Sequence, residues 1–139
     1  HSYVHQQADI AEAARVIANA KMRRTGICGA TESLLIDQSI AASALPVLLD
    51  ALVAEGCKEF RGDAEARKID SRITAATEAD WGTEYLDAVL SIKTVSGLEE
   101  AIAHINRYGS HHTDAILTED AEAAARFLRE VDSAIVMHN

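Results

Sequence analysis

The alternation of short apolar runs with longer stretches of helical spacing is the feature that most constrains the fold of this 139-residue chain. The apolar runs predict strands at residues 2–4, 33–36, 58–60, 88–95, 115–117 and 133–137. Short runs without polar alternation are typical of strands that are buried on both faces. Because helical stretches separate them, we predict an α/β fold in three layers, with a mostly parallel sheet and helices on both faces.

Two helices are predicted in the first half of the chain. Asp9 is expected to cap the first, which should run to about Met22. The second should end at Gly56 and hold Pro46 in its first turn, because a proline deeper inside would break it. Its apolar side is predicted to consist of Val47, Leu48, Ala51 and Leu52. Residues 61–78 are polar and resist assignment.

Two further helices are predicted in the second half. Ser96 and Glu99 form a capping-box pattern ahead of one, and Gly109 should end it. Thr118 is expected to cap the last helix, on which Leu128 occupies one of the apolar positions.

The composition is that of a folded, acidic protein. Hydrophobic residues make up 48% of the chain and the formal net charge is −9, so there is no electrostatic case for binding nucleic acid or an anionic membrane. No apolar run approaches the roughly 20 residues that span a bilayer, and the N-terminus has no signal-peptide pattern. Two distant cysteines, Cys28 and Cys57, are expected to stay reduced, which favours a cytoplasmic setting. Cys57 is expected to be a packing residue.

The length fits one domain, residues 1–139, with a single core. No repeat and no linker rich in proline, glycine or serine divides it. The first and last predicted strands begin and stop abruptly and look like central strands of a sheet. We therefore expect a segment cut from a larger enzyme.

Cys28 lies in the sequence Arg-Arg-Thr-Gly-Ile-Cys-Gly, in a loop between a helix end and a strand start. Such loops often carry functional groups. Gly26 and Gly29 let the backbone approach a ligand, and Arg23 and Arg24 favour a thiolate if they face it. These features fit a nucleophile, but they fit an inert buried cysteine in a glycine turn as well.

The other polar residues are less informative by themselves. Glu84, directly before a strand, has the simple interpretation of a solvated carboxylate. His111 and His112 are adjacent, so their side chains point apart, and no third ligand stands at a zinc spacing; no metal site is expected. The same loop offers anion binding through the backbone at Ser110 and one histidine. No dinucleotide fingerprint, P-loop or serine elbow is present, so a complete nucleotide site is not expected.

Four segments of the chain together carry a family resemblance. They are residues 19–35, with TGICGATESLL from Thr25; residues 78–86, EADWGTEYL; residues 101–116, AIAHINRYGSHHTDAI; and residues 131–139, VDSAIVMHN. All four resemble the γ-glutamyl phosphate reductases, a family of the aldehyde dehydrogenase superfamily. They occur in family order over nearly the whole chain, and the third is the most specific.

The resemblance implies the catalytic-domain fold of aldehyde dehydrogenases, with the cofactor-binding domain and the oligomerisation arm outside residues 1–139. The family reaction is NADPH-dependent reduction of L-glutamyl 5-phosphate to L-glutamate 5-semialdehyde and phosphate, the second step of proline biosynthesis. NADPH would then be bound mainly by the missing domain. The segment alone would have little turnover, and its parent would be a homo-oligomer that acts on a small molecule, without nucleic acid or membrane.

The same resemblance implies roles for five residues. Cys28 is the nucleophile that forms a thioester, and its backbone N–H is a donor to the oxyanion. Glu84 aligns with the superfamily glutamate that binds the nicotinamide ribose. The substrate phosphate or carboxylate would be bound by Ser110, His112 and Asn139, which fall in family segments.

Two alternatives remain open. Another aldehyde dehydrogenase would share Cys28 and Glu84 but not the segment at residues 104–116. A non-catalytic product is the other alternative, in which the domain serves as a folded or assembly module. One departure bears on the oxyanion environment, because the family usually has asparagine where this chain has Gly29. His104, which falls on the predicted helix of that segment, is expected to be structural.

Overall fold

The strands of this protein pair into one sheet in a computed structural model that places all 139 residues. They are β1 Ser2–Val4, β2 Ser33–Asp37, β3 Glu59–Gly62, β4 Ile73–Ala75, β5 Val89–Val95, β6 Thr113–Leu117 and β7 Ile135–His138. Every neighbouring pair is parallel, in the order β4-β3-β5-β2-β1-β6-β7. The amino ends of all seven strands therefore share one edge of the sheet, and the carboxyl ends share the other.

Helices cover both faces of this sheet. They are α1 Ile10–Met22, α2 Gln38–Ala54, α3 Ala64–Ile69, α4 Leu98–Tyr108 and α5 Ala121–Glu130, with a 3₁₀ helix at Glu78–Gly82. Helices α1 to α3 pack on one face around a core of 19 residues that includes Leu34 and Leu48. Helices α4 and α5 pack on the other around nine residues that include Leu35 and Phe127. Successive residues of β2 thus face opposite layers, and the predicted three-layer α/β architecture is confirmed.

Helix α2 differs from its prediction at Pro46. The helix begins at Gln38, so Pro46 lies in its interior and not in its first turn. A proline there removes one amide donor and costs about 3 kcal/mol. The acceptor that loses this donor belongs to Ala42, which is exposed and can be solvated.

Burial of the opposite side of α2 explains why the helix continues through the proline. Its buried residues are Ala41, Ala44, Leu45, Leu48, Leu49 and Leu52. Each fully buried leucine contributes roughly 1.5–3 kcal/mol, so the four together outweigh one lost hydrogen bond. This face also differs from the predicted one, because Val47 is 45% exposed and Ala51 is only partly buried.

Helix α4 starts differently from its prediction. Its N-cap is Gly97, with φ 157°, and Glu99 does not form the predicted capping box with Ser96. Glu100 takes that role instead, since its Oε2 accepts from the N–H and the hydroxyl of Ser96 at 2.7 and 2.8 Å. The predicted end at Gly109 is confirmed. A Cβ at Gly109 would lie 2.6 Å from the carbonyl oxygen of Ile105, so the position requires glycine.

The cap predicted for α5 is also wrong. Asp120, not Thr118, is the N-cap, and its Oδ1 accepts from the N–H groups of Glu122 and Ala123 at 2.9 and 3.0 Å. Thr118 lies two residues earlier, where its hydroxyl accepts from the N–H of Asp120. Leu128, predicted on the apolar side, is 43% exposed.

Residues 61–78, which resisted assignment, contain α3 and β4. Asp63 caps α3 by accepting from the N–H of Ala66 at 2.9 Å. Both elements are too short to show the hydrophobic periodicity by which a helix or a strand is recognised in a sequence. None of the helices combines the length and the apolarity required to cross a bilayer.

Candidate active site

Cys28 and Glu84 line the same cavity at the amino edge of the sheet. The cavity has a volume of about 50 Å³. Its lining residues are His1, Cys28, Ala30, Glu32, Ser33, Trp81, Gly82, Thr83, Glu84, Tyr108, Ser110 and Thr113. Ligands of open α/β sheets usually bind outside the carboxyl ends of the strands, so this cavity lies at the less usual edge. Three segments that are distant in sequence, and on which the family resemblance was based, meet there.

The loop from α1 to β2 presents the thiol of Cys28. The N–H of Thr31 donates to the carbonyl of Ala20 at 3.1 Å, which ties the end of the loop back to α1. Within the loop the N–H of Ala30 donates to the carbonyl of Ile27 at 3.1 Å and closes a turn around Cys28. Cys28 is exposed, and its own N–H donates to no atom of the chain. The loop therefore offers a thiol and a free N–H side by side.

The glycines that flank Cys28 are not required by packing within the chain. A Cβ at Gly26 would meet nothing within 4 Å, and one at Gly29 would meet only Thr113 Oγ1 at 3.9 Å. Neither has a positive φ. Open space therefore surrounds the thiol, as approach of a ligand would need. Arg23 lines a different groove, between α1 and α2, and so is not placed beside the thiol.

Asp80 anchors the segment that carries Glu84. The N–H and hydroxyl of Thr77 donate to its Oδ2 at 2.7 and 2.9 Å. The hydroxyl of Tyr85 and the guanidinium of Arg61 donate to its Oδ1 at 2.7 and 3.0 Å. Burial raises the pKa of Asp80, but these hydrogen bonds outweigh it and hold the pKa well below its usual value. Asp80 is therefore ionised near neutral pH, and through Tyr85 it fixes the residue next to Glu84.

Glu84 itself is exposed, and neither of its carboxylate oxygens has a partner in the chain. The segment is held on both sides of it. Upstream, the ring of Trp81 packs edge-on against His104, with centroids 5.8 Å apart. Downstream, the N–H of Leu86 donates to Glu32 Oε1 at 3.2 Å. The free carboxylate is therefore carried by a well-supported backbone.

His104 lies buried under the cavity, as expected of a structural residue. Its ring centroid lies 5.7 Å from that of His1, 5.8 Å from that of Trp81 and 4.7 Å from that of Tyr108. Burial lowers the pKa of His104 to about 4, so the ring is neutral near pH 7. No group of three or more histidine, cysteine, aspartate or glutamate side chains converges in a way that would hold a metal ion.

The residues predicted to bind substrate lie in three different places. Ser110 lines the Cys28 cavity, and its hydroxyl has no partner in the chain. His112 does not line this cavity, but its Nδ1 atom lies 2.6 Å from Oγ1 of Thr113, which does. Asn139 follows β7 at the opposite edge, where its Oδ1 accepts from the N–H of Thr118 at 2.9 Å. The fold brings Ser110 to the cavity of Cys28, whereas Asn139 lines a second groove, of about 140 Å³, that Gly29, Ala30 and Thr113 also line.

Comparison with known proteins identifies relatives of the whole chain. No family model matches it. The γ-glutamyl phosphate reductase of Rhodospirillum rubrum is 60% identical over 139 residues, which are 100% of this chain and 32% of that protein. The crystal structure of the γ-glutamyl phosphate reductase from Thermotoga maritima is 42% identical with a TM-score of 0.96, over 99% of this chain and 33% of that one. The resemblance recognised in the sequence is confirmed, and the chain spans about a third of the length of these relatives.

More distant structures share the fold. An indole-3-acetaldehyde dehydrogenase, solved in complex with NAD⁺, is 18% identical with a TM-score of 0.77, over 99% of this chain and 37% of that one. At such low identity the likeness shows the fold alone. The predicted aldehyde-dehydrogenase-like architecture is thereby confirmed.

Proposed function

We propose, from its similarity along the whole of this chain to about a third of the length of γ-glutamyl phosphate reductases, that this chain is the cysteine-bearing part of an enzyme of that family. The proposed reaction is NADPH-dependent reduction of L-glutamyl 5-phosphate to L-glutamate 5-semialdehyde and phosphate, the second step of proline biosynthesis. The observation that carries the proposal is the shared cavity of Cys28, Glu84 and Ser110. None of these side chains forms a hydrogen bond or an ion pair within the chain, so the polar atoms of all three are available to ligands.

The proposed chemistry starts at the sulfur of Cys28. Its thiolate attacks the acyl carbon, a carbon–sulfur bond forms, and the bond to the phosphate oxygen breaks, which leaves a thioester. NADPH supplies the hydride that reduces this thioester. The resulting thiohemiacetal collapses to the aldehyde and returns the thiolate of Cys28. Each tetrahedral oxygen needs hydrogen-bond donors, and we propose the N–H of Cys28, which has no partner in the chain, as one of them.

Glu84 fits the proposed contact with the nicotinamide ribose. Its carboxylate is exposed to the cavity and unpartnered, and a carboxylate accepts hydrogen bonds from hydroxyl groups such as those of a ribose. The cavity lining includes the carboxylates of Glu32 and Glu84 but no lysine or arginine. We therefore assign the cationic groups that would bind phosphates to residues outside this lining, and mainly to a cofactor-binding domain outside residues 1–139.

The substrate contacts are proposed in order of their distance from Cys28. Ser110 offers a free hydroxyl within the cavity, and His112 contacts Thr113, which lines it. Either side chain donates readily to a phosphate or carboxylate oxygen. Asn139 stays a prediction with less support, because its amide is held at the opposite edge by Thr118.

The proposed enzyme is larger than this chain. A cofactor-binding domain and an oligomerisation arm would account for the rest of the relatives' length, and the parent would be a cytoplasmic homo-oligomer. Residues 1–139 alone would then turn over little substrate. There are two alternatives, a non-catalytic folded module and another aldehyde dehydrogenase. The 60% identity to a γ-glutamyl phosphate reductase supports the proposed family over both of them.

Substitution of Cys28 by serine tests the proposal in a full-length protein that carries this chain. We expect the Cys28→Ser variant to lose at least about 10³-fold in NADPH-dependent phosphate release, because the thioester cannot form. Mass spectrometry of the acyl-enzyme is the second readout. Cys57→Ser is the matched control, since Cys57 is buried and donates to the carbonyl of Ala88 at 3.4 Å. Acyl-enzyme in the Cys28→Ser variant would refute the assignment, and a preference for simple aldehydes over glutamyl phosphate would favour the second alternative.

A further inference from the structure

Glu32 joins the two segments that carry the proposed catalytic groups. It lies four residues after Cys28, at the start of β2, and lines the same cavity. Its Oε2 accepts from Lys21 Nζ at 2.7 Å, and its Oε1 accepts from the N–H of Leu86 at 3.2 Å. Lys21 belongs to the last turn of α1, which leads into the Cys28 loop, and Leu86 follows Glu84 by two residues. One carboxylate thus binds both segments.

The ion pair with Lys21 fixes the Glu32 side chain in one orientation. The Lys21 side chain is completely buried, at 0% exposure, and a buried ammonium group is tolerated only when it is paired. The Glu32 backbone is fixed as well, because its carbonyl accepts from the N–H of Ser91 in β5 at 3.1 Å. Glu32 is therefore rigid at both ends, and its second oxygen lies at a constant position.

The backbone at Leu86 needs such a fixed acceptor. Its φ of 54° lies in the left-handed region, which is unfavourable for leucine. The Leu86 side chain is 53% exposed, so packing contributes little to holding this conformation. The turn is instead held by hydrogen bonds on its two sides, from Leu86 to Glu32 and from Tyr85 to Asp80.

We infer that Glu32 is a positioning residue that holds the Glu84 segment against the Cys28 loop. Nucleophilic attack and hydride transfer require the Cys28 thiol and the Glu84 carboxylate to keep a constant position relative to each other. Supporting side chains such as Glu32 maintain that position. The catalytic importance of this link rests on the proposed function, but the link itself follows from the contacts of Glu32 alone.

Glu32→Gln separates the two contacts of Glu32. The side-chain amide has one acceptor oxygen where the carboxylate has two, and the buried charge of Lys21 takes it. The N–H of Leu86 then loses its partner. We expect hydrogen exchange at the Leu86 amide to become about tenfold faster, while the amides of β5 keep their protection. In Lys21→Met both carboxylate oxygens remain, but Glu32 loses the ion pair that orients it, so exchange at the Leu86 amide should rise less than in Glu32→Gln.

The thiol of Cys28 reports on the consequence for the cavity. Cys28 is exposed but shares its cavity with Glu84, so release of the Glu84 segment should shift the ratio of the bulky-maleimide and iodoacetamide alkylation rates of Cys28 several-fold in Glu32→Gln. A purely structural loss would change both reagents and the β5 amides together. Glu55→Gln, at an exposed position on the end of α2, is the matched control.

Two results would overturn the inference: unchanged Leu86 exchange in Glu32→Gln, or an unchanged ratio of the two alkylation rates. If Glu32→Gln does not fold, Glu32→Asp replaces it, because the shorter carboxylate keeps the charge but cannot reach both partners. The faster Leu86 exchange is expected there too, and its absence would overturn the inference equally. Failure of the proposed function would give a different result. The Cys28→Ser variant would still form an acyl-enzyme, while Glu32→Gln would still show faster Leu86 exchange and a changed ratio of alkylation rates.

Discussion

Both edges of the sheet carry polar side chains that bond within the fold, but the amino edge also presents unpartnered side chains around one cavity. At the carboxyl edge, Asp37 Oδ2 accepts from the hydroxyl of Tyr3 at 3.0 Å and from the N–H of Gln6. Asn139 and Thr118 are paired there as well. At the amino edge, the side chains of Cys28, Glu84 and Ser110 make no hydrogen bond within the chain although they line one cavity. The bonded side chains at the carboxyl edge join strands to loops, whereas those of Cys28, Glu84 and Ser110 remain available to a ligand.

This difference indicates which edge is functional better than a topological rule does. Ligands of open α/β sheets usually bind at the carboxyl edge, yet Asp37 Oδ2, Tyr3, Asn139 and Thr118 form hydrogen bonds within the fold there. Asp37 Oδ1 is buried without a partner, but Asp37 lines none of the cavities. Burial raises the pKa of Asp37, and burial together with the neighbouring Asp37 raises that of Tyr3. Buried pairs of this kind fix loops and are poorly placed to meet a ligand. Unpartnered groups that converge on a cavity are the stronger sign of a site.

Substitution of Asp63, at the carboxyl edge, is expected to cause the largest loss of stability. Its Oδ2 accepts from the N–H and hydroxyl of Thr94 at 2.9 and 2.7 Å and from Lys93 Nζ at 3.2 Å, and its Oδ1 caps α3. Asp63→Ala should lower the free energy of unfolding by about 3 kcal/mol in urea denaturation, because a helix cap and several charge-assisted hydrogen bonds disappear.

The control for Asp63 is Glu65→Ala on the same helix. Glu65 forms an exposed pair with Lys68, so its loss should change stability by no more than about 0.5 kcal/mol. Iodoacetamide should alkylate Cys28 at the wild-type rate in both variants. A change in the alkylation rate of Cys28 in Asp63→Ala would show that the two edges of the sheet are coupled, and would contradict the division into a structural edge and a functional edge.

Substitution of Asp80, which supports the Glu84 segment at the amino edge, should change the free energy of unfolding by a smaller amount that depends on pH. The pKa of Asp80 is lower in the folded chain than in the unfolded chain, where it is about 4. Its carboxylate therefore stabilises the fold at pH values above about 4, and this contribution is lost as the pH falls through the folded value. Asp80→Asn should cost about 2 kcal/mol at neutral pH, and the difference from wild type should shrink towards pH 2. Urea denaturation at several pH values measures this, and an equal difference at every pH would refute it.

The sequence alone is sufficient for the central strands of the sheet, because burial on both faces leaves its mark in each of them separately. The short apolar runs of β1 and β2 need no knowledge of their neighbours to be recognised. Helix α2 shows the limit, because Pro46 was judged by a local rule that packing against the sheet overrides. The segment with α3 and β4 shows another, since these elements are too short to display a period.

The candidate site was predictable only in part, for a related reason. Local chemistry left Cys28 open between a nucleophile and an inert thiol, and the resemblance of distant segments decided for the first. No pattern indicated Glu32, although it lies in one of those segments. Its role depends on contacts with Lys21 and Leu86, and only the folded chain brings those two together.

Glu84 is expected to give the smallest effect on stability and the sharpest contrast between the edges. Its carboxylate has no partner in the chain, so Glu84→Gln should change the free energy of unfolding by less than about 0.5 kcal/mol. In a full-length protein that carries this chain, the same substitution should raise the KM for NADPH about tenfold, because a neutral amide accepts hydrogen bonds from ribose hydroxyls less strongly. Glu122→Gln, the same change at an exposed position of the carboxyl edge, should alter neither quantity. An unchanged KM in Glu84→Gln would leave Cys28 and Ser110 as the groups of the cavity with a proposed contact to the reacting molecules. A large loss of stability would place Glu84 with structural carboxylates such as Asp37 and Asp63.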